Sequence, residues 1–142
     1  MRMVLDTNVV VSALLWQGSP HSLVKIGNRA ANRFFTSDPL LEELKEILCQ
    51  AKFASKIRVT RLSIEELIGL YLEFSIFVIP EDVPRIAPDP DDDVVIGTAL
   101  AAKADFIVTG DKALLTVGEY GGVRIVSVHE ALRAAALDLP PA

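Results

Sequence analysis

The chain alternates short runs of apolar residues with longer stretches in which apolar residues recur at helical spacing. The short runs have the composition of β-strands, and we predict five of them, at residues 3–5, 34–36, 74–79, 105–109 and 123–128. Helical spacing and helix start signals predict helices at residues 7–15, 20–33, 38–50, 63–72, 91–103 and 128–137. An acidic, proline-containing loop is predicted at residues 80–90.

This alternation predicts an α/β protein with a largely parallel sheet of about five strands, covered by helices on both faces. The 142 residues suit one domain that spans the whole chain, 1–142. Parallel sheets of this kind bind ligands beyond the carboxyl ends of their strands. The residues that follow each strand are therefore the first candidates for chemistry.

Composition narrows the class of protein. The chain is 51% hydrophobic and 23% charged, which excludes a disordered or low-complexity protein. The single cysteine, Cys49, excludes an internal disulfide framework and a cysteine-cluster metal site, and it favours a reducing compartment. The uncharged run at residues 7–24 carries several polar residues, so we expect a soluble, cytoplasmic protein with no membrane association.

Charge is distributed unevenly along the chain. Residues 25–61 contain eight basic and four acidic side chains, whereas the chain as a whole has a net charge of -5. A basic zone on an acidic protein permits a polyanionic partner such as RNA, and the alternative is a solvated helical surface. Within this zone the candidate RNA-binding residues are Lys45, Lys52, Lys56 and Arg58.

Three aromatic residues are further candidates for contact with nucleic acid. Trp16, Tyr71 and Tyr120 have rings that stack on bases when they are exposed. Ordinary packing explains each of them as well, and we interpret all three as packing residues.

Acidic residues stand where predicted strands end and on one helix. Asp6 follows the first strand and Asp111 follows the strand at 105–109, although either carboxylate alone is explained as a helix N-cap. Glu43 falls at the border of the apolar stripe of its helix. At that position a carboxylate either reaches into a cleft or pairs with a nearby lysine or arginine.

The densest acidic group is the run Asp89-Pro90-Asp91-Asp92-Asp93 at the start of a predicted helix. A helix N-terminus stabilises negative charge by a few tenths to about 1 kcal/mol, which is little for four carboxylates. Some of them are therefore candidates to face a cation. Asp92 is the candidate to point inward because apolar residues follow it at helical spacing, and Asp93 is the alternative.

Four of these acids would form a metal site if the fold brought them together. Asp6, Glu43, Asp92 and Asp111 cannot all be ionised in one pocket unless protons or cations compensate them. A set of oxygen ligands without cysteine or histidine suits Mg²⁺ or Mn²⁺, as one ion or two. Such a site supports metal-assisted hydrolysis at phosphorus.

The same residues resemble those of the PIN-domain ribonucleases, in particular the VapC-like toxins of toxin–antitoxin modules. The resemblance covers almost the whole chain and is carried by four motifs in order. These motifs are Asp6-Thr7-Asn8, Glu43-Leu44, Asp89-Pro90-Asp91-Asp92-Asp93 and Val108-Thr109-Gly110-Asp111-Lys112.

The resemblance implies a three-layer α/β/α sandwich and a metal-dependent endoribonuclease that hydrolyses single-stranded RNA. It implies Mg²⁺ or Mn²⁺ as cofactor, a homodimer, and a small antitoxin protein as partner. Matched residue by residue, the catalytic and metal-binding acids are Asp6, Glu43, Asp92 and Asp111, with Asp93 competing for the third metal position. Asn8 and Thr109 resemble the polar residues that support these acids.

The alternative function is a non-catalytic PIN-like module that binds RNA or a protein partner and retains a vestigial acidic site. Phosphatases of the haloacid-dehalogenase type are a further comparison, but they need an acid two residues after the first aspartate, where this chain has Asn8. The presence of all four acids favours the nuclease over the vestigial site.

Overall fold

A computed structural model of the chain describes residues 1–27, 32–73 and 75–137. These residues form one sheet in the strand order β3-β2-β1-β4-β6-β5. Every pair of neighbouring strands is parallel except β5 and β6, which are antiparallel. The strands are β1 (Arg2–Leu5), β2 (Arg33–Thr36), β3 (Ser75–Phe77), β4 (Phe106–Val108), β5 (Glu119–Tyr120) and β6 (Val123–Val126).

Helices connect the strands and cover the sheet. They are α1 (Thr7–Leu15), α2 (Ser19–Gly27), α3 (Asp38–Leu48), α4 (Ala54–Thr60), α5 (Ile64–Leu72), α6 (Pro90–Ala102), α7 (Lys112–Val117) and α8 (Val128–Leu137), with a 3₁₀ turn at Ala51–Phe53. Ser63 and Glu66 form the predicted capping box at the start of α5. None of the helices in the described ranges is both long enough and apolar enough to cross a membrane.

The central strand β1 is buried on both faces, and its side chains alternate between two hydrophobic cores. Met3 and Leu5 join the core that contains side chains of α1, α5 and α8. Val4 joins the other core, which contains side chains of α6 and α7. The sheet is therefore sandwiched between two helical layers, which confirms the predicted α/β/α architecture.

Several element boundaries differ from the prediction. The helix predicted at 20–33 is described over Ser19–Gly27, and residues 28–31 lie outside the described ranges. Arg33, predicted as the end of that helix, instead opens β2 beside Arg2. The strand predicted at 74–79 is Ser75–Phe77, with Phe74 outside the described residues. Strand β5 (Glu119–Tyr120) is absent from the prediction because two residues carry no periodicity.

The strand order reverses direction between β1 and β4. The helix after β1 is α1 and the helix after β4 is α7, and these two helices pack on opposite faces of the sheet. The backbone N–H of Asp6 donates to the Val108 carbonyl at 2.9 Å, which keeps the chain segments after β1 and β4 adjacent. Such a reversal point is where open α/β sheets bind ligands. The two aspartates predicted at strand ends both lie here.

Candidate active site

Asp6 is the most buried of the predicted acids, with 6% of its surface exposed. It caps α1, and its Oδ1 accepts a hydrogen bond from the backbone N–H of Thr7 at 2.8 Å. Its Oδ2 accepts a hydrogen bond from the Thr109 hydroxyl at 2.7 Å. Both oxygens of the carboxylate are therefore held in fixed directions.

Thr109 connects Asp6 to the second aspartate. Its side chain is fully buried, and its Oγ1 accepts a hydrogen bond from the backbone N–H of Asp111 at 3.0 Å. Asp111 caps α7 by accepting the Ala113 N–H on Oδ1 at 2.9 Å. The capping role considered for Asp6 and Asp111 is thus real, and it coexists with their placement at one edge of the sheet.

Glu43 reaches this edge from α3. The carboxylate is half-buried, and its Oε2 accepts a hydrogen bond from the Thr7 hydroxyl at 2.9 Å. Thr7 therefore contacts Asp6 through its backbone and Glu43 through its side chain. It was not among the predicted supporting residues, and the only signal for it in the sequence is its position directly after Asp6.

Asp92 approaches from the first turn of α6, which Asp89 caps. Its carboxyl lies close enough to those of Asp6 and Asp111 to be repelled by them. Its Oδ2 is buried and has no hydrogen-bond partner in the described residues. Because like charges repel and a buried oxygen without a partner costs stability, a cation at this point would relieve both the repulsion and the unpartnered oxygen.

Asp93 points elsewhere. Its Oδ1 accepts hydrogen bonds from the backbone N–H groups of Ile86 and Ala87, at 3.2 and 2.8 Å. Its Oδ2 lies 3.2 Å from the Arg85 guanidinium. These contacts tie the loop before α6 to the helix, so the structure brings Asp92 to the acidic edge and gives Asp93 different partners.

Burial and mutual repulsion raise the pKa values of three of these acids. Desolvation is the largest cause for the raised pKa of Asp6, and repulsion by Asp111 adds to it against the hydrogen bonds from Thr109 and Thr7. The pKa of Glu43 is raised first by desolvation and then by Asp6 and the first turn of α6.

Asp92 shows the largest effect among the acids. Desolvation, followed by repulsion from Asp6, Asp111 and Asp89, raises the pKa of Asp92 to about 7 from an ordinary value of 3.8. These influences link carboxyl groups from four separate elements of the fold. We refer to Asp6, Glu43, Asp92 and Asp111 as the acidic cluster.

The remaining predicted residues lie outside this cluster. Asn8 is exposed on α1, and no hydrogen bond joins its side chain to the acidic cluster within the described ranges. Lys45 pairs with Glu42 at 3.6 Å on the exposed side of α3. Lys52, in the 3₁₀ turn, and Lys56 and Arg58, on α4, are exposed and lie beyond the end of α3 that is remote from the acidic cluster.

The donor set of the acidic cluster fits a hard divalent cation in chemistry. Within the parts of the chain that the structure describes, no group of three or more acidic, histidine or cysteine side chains is arranged so that it could hold a metal ion. Mg²⁺ does not require such a group, because proteins commonly hold it by one or two carboxylates and leave its other positions to water and substrate phosphate. The unpartnered Oδ2 of Asp92 is an oxygen available to such an ion.

An open groove of about 310 Å³ lies beside Glu43, between α3 and the first turn of α6. Its acidic lining consists of Glu42, Glu43, Glu46 and Asp91. Negative charge on this side means that a polyanion would have to reach the acidic cluster from another direction, or with cations bound.

Comparisons with known proteins agree with the fold. A family model described as the PIN domain matches residues 2–113. The fold is similar to that of a chain in the crystal structure of VapBC2 from Rickettsia felis bound to a DNA fragment from their promoter, with a TM-score of 0.61 at 14% identity, covering 89% of this chain and 98% of that one. No curated protein matched the sequence.

Proposed function

The chain belongs to the PIN domain family, and from this membership and the acidic cluster we propose that it is a metal-dependent endoribonuclease. Its substrate is single-stranded RNA, and the reaction is hydrolysis of a phosphodiester bond. Asp6, Glu43, Asp92 and Asp111 are the proposed catalytic residues, and the proposed cofactor is Mg²⁺ or Mn²⁺.

One observation carries this proposal, namely the convergence of four carboxyl groups at the reversal point of the sheet. The raised pKa of Asp92 results from desolvation and from repulsion by Asp6 and Asp111, so these groups are electrostatically coupled. A fold that served only structural needs would gain nothing from such repulsion, because unpaired buried carboxylates cost stability. Clusters of perturbed acids are typical of functional sites.

The protein's own residues have distinct parts in this proposal. When bound, a divalent cation would neutralise the phosphate and lower the pKa of water at the site. Asp6 and Asp92 are the best placed to hold the ion, since Asp6 is oriented by two hydrogen bonds and Asp92 has a free buried oxygen. Thr7 and Thr109 fix the directions of the carboxylates.

Hydrolysis by water makes a prediction about products. The attacking oxygen comes from water and the 3′ oxygen leaves, so the fragments carry a 5′-phosphate and a 3′-hydroxyl. A 2′,3′-cyclic phosphate would instead indicate attack by the ribose hydroxyl and would contradict the proposed reaction.

The experiment is cleavage of a mixed RNA pool by the purified protein with Mn²⁺ or Mg²⁺. We expect cleavage to stop with EDTA and to fall by at least a hundredfold in Asp92→Asn. Asp91→Asn is the matched control, because Asp91 is the exposed neighbour on the same helical turn, and it should retain most of the activity.

Two outcomes would contradict the proposal. Cleavage that survives both EDTA and Asp6→Asn would belong to a contaminant or to another mechanism. RNA that binds without being cleaved, under every metal condition, would favour the non-catalytic module.

We further propose that this nuclease is the toxin of a toxin–antitoxin pair and acts as a homodimer restrained by a small antitoxin. The similarity of its fold to a chain of the VapBC2 complex supports this role. Induced expression in bacteria should arrest growth, and Asp6→Asn should relieve the arrest. Equal toxicity of the two forms would contradict a toxin role that depends on the acidic cluster.

A further inference from the structure

Aromatic and cationic side chains lie together on the surface at the end of α1 remote from Asp6. Trp16 follows α1, and 40% of its surface is exposed. The Phe53 ring meets it edge-on, with centroids 6.2 Å apart and planes inclined at 76°. The Lys56 ammonium lies 5.3 Å from the Trp16 centroid, and the Lys52 ammonium lies 5.2 Å from the Phe53 centroid. We call these four side chains the Trp16 cluster.

The Trp16 side chain packs against its neighbours and remains partly exposed. The backbone N–H of Trp16 donates to the Ser12 carbonyl at 3.0 Å, which ties the main chain of this residue to the last turn of α1. Phe53 is partly buried against the hydrophobic core and so provides a fixed edge for the indole. A ring that is already ordered loses little conformational entropy when a second ring stacks on it.

The charge around this ring is positive. Neither Lys52 nor Lys56 forms an ion pair with an acidic residue in the described ranges, and Arg58 lies on the same helix as Lys56. Exposed cations beside an aromatic ring are the two components of sites that bind single-stranded nucleic acid. The cations attract phosphates, and the ring accepts a base irrespective of its sequence.

The cluster lies within reach of a strand that passes the acidic cluster. Asp6 and Trp16 bracket α1, and a helical rise of about 1.5 Å per residue separates them by about 15 Å along the axis. A few nucleotides of extended single strand span such a distance. The length of α1 between Asp6 and the Trp16 cluster therefore matches a few nucleotides of one extended RNA strand.

We propose that the Trp16 cluster is a stacking site for an unpaired base of the RNA substrate, an inference that rests on the proposed ribonuclease function. The base stacks on the indole of Trp16, and Lys52 and Lys56 contact the adjacent phosphates. Duplex RNA is rejected because a paired base has both of its faces covered by its neighbours. The site therefore selects single-stranded substrate at a point remote from the bond that is cleaved.

Trp16 itself supplies the probe, because it is the single tryptophan of the chain. Its fluorescence is titrated with oligoadenylate in EDTA, where no cleavage is required. We expect saturable quenching by oligoadenylate, and far weaker quenching by duplex RNA of equal length or by inorganic polyphosphate, which has charge but no bases. Failure of the nuclease would leave this quenching intact, so the two proposals are tested separately.

Variants test the contribution of each part by anisotropy of a labelled oligoadenylate. Trp16→Leu should weaken binding about tenfold, whereas Trp16→Phe should restore most of it. Lys52→Gln and Lys56→Gln should weaken binding and reduce its dependence on salt. Lys103→Gln, at the exposed end of α6 on the opposite side of the sheet, is the matched control. It should change neither the affinity for oligoadenylate nor the salt dependence of binding.

Three results would overturn the proposal. One is equal quenching by polyphosphate and oligoadenylate, which would mean that only charge is sensed. Another is RNA binding by anisotropy without any change in Trp16 fluorescence. The third is a change in Trp16 fluorescence on dilution of the protein alone, which would assign the cluster to contact between copies of the chain.

Discussion

The hydroxyl of Thr109 donates a 2.7 Å hydrogen bond to Oδ2 of Asp6, and the same hydroxyl oxygen accepts the backbone N–H of Asp111 at 3.0 Å. One buried threonine therefore sets the positions of two acids that are far apart in the chain. Since Thr109 is fully buried, neither hydrogen bond can be replaced by solvent without a rearrangement.

Replacement of Thr109 by valine should separate the effect of its two hydrogen bonds from the effect of its packing. Thr109→Val keeps the shape of the side chain but leaves the Asp111 N–H and one oxygen of Asp6 unpartnered, which should cost about 1–3 kcal/mol in the free energy of unfolding. Cleavage should fall about tenfold to a hundredfold, as expected for residues that orient ligands. Urea denaturation measures the loss of stability, and RNA cleavage measures the loss of activity.

Thr116→Val serves as the control, because Thr116 is exposed on α7 and its hydroxyl donates to the Lys112 carbonyl of the same helix. It should change the free energy of unfolding by no more than about 0.5 kcal/mol. Full activity of Thr109→Val would show that the threonine has only a structural role.

The raised pKa of Asp92 predicts how stability depends on pH. Its folded-state pKa is about 7 and its ordinary value is 3.8, so the folded protein holds this proton more tightly than the unfolded chain does. The resulting stabilisation is fully present below the ordinary value and is lost as pH rises through about 7. In EDTA, the melting temperature should therefore fall between these pH values.

Asp92→Asn should remove most of this dependence and raise the melting temperature above that of wild type by a few degrees at pH 8. Asp91→Asn, which changes an exposed acid on the same turn, should keep the fall in melting temperature up to pH 7 that Asp92 causes. Identical profiles for wild type and Asp92→Asn would show that the carboxyl group of Asp92 is not perturbed.

Magnesium should distinguish Asp92 from Asp93. Saturating Mg²⁺ should stabilise wild type, by about 2.7 kcal/mol at one hundred times the dissociation constant. Asp92→Asn should lose this stabilisation. Asp93→Asn should keep it, although that variant starts about 1–3 kcal/mol less stable because it weakens the contacts with Arg85 and with two loop N–H groups. The opposite pattern would make Asp93 the metal ligand.

A close contact behind the site predicts a backbone effect. A Cβ atom at Gly97 would overlap the carbonyl oxygen of Glu81, whose N–H donates to the Gly97 carbonyl at 3.0 Å. Gly97→Ala should therefore push the loop off α6 and cost about 1–3 kcal/mol.

Gly69→Ala is the matched helical control for Gly97→Ala. Gly69 lies on α5 with open space around it, so alanine there should stabilise the protein by about 0.5–1 kcal/mol. Urea denaturation of both variants makes the comparison. Equal effects would mean that the loop readily moves aside.

Much of the fold follows from local pattern. Alternating apolar runs and amphipathic stretches predicted five of the six strands, because each is a complete hydrophobic unit in the sequence. The basic segment at residues 51–60 was not predicted to be helical, since its two short pieces bury no residue completely and have little amphipathic signal. β5 is held only by its pairing with β6, and no local pattern marks it.

The sequence predicts some residues of the candidate site and its surroundings but not others. Asp6 and Asp111 were predicted to share one edge because parallel strands end on the same side of a sheet. Thr7 was overlooked, since a hydroxyl that bonds to a glutamate from another element leaves no periodic signature. Trp16 was interpreted as a packing residue, and only the folded chain shows how much of its ring remains exposed.

The sequence alone determined the succession of strands and helices along the chain and the oxygen donors of the acidic cluster. Both depend on hydrophobic periodicity and residue type, which are local properties of the sequence. The sequence alone did not determine the choice between Asp92 and Asp93. Both stand in one acidic helical turn, and they differ only in what the rest of the chain presents to them. Arg85 and the loop N–H groups bind Asp93, whereas Asp92 is repelled by Asp6 and Asp111. Contacts between distant segments are decided by packing in three dimensions, and a linear pattern does not contain them.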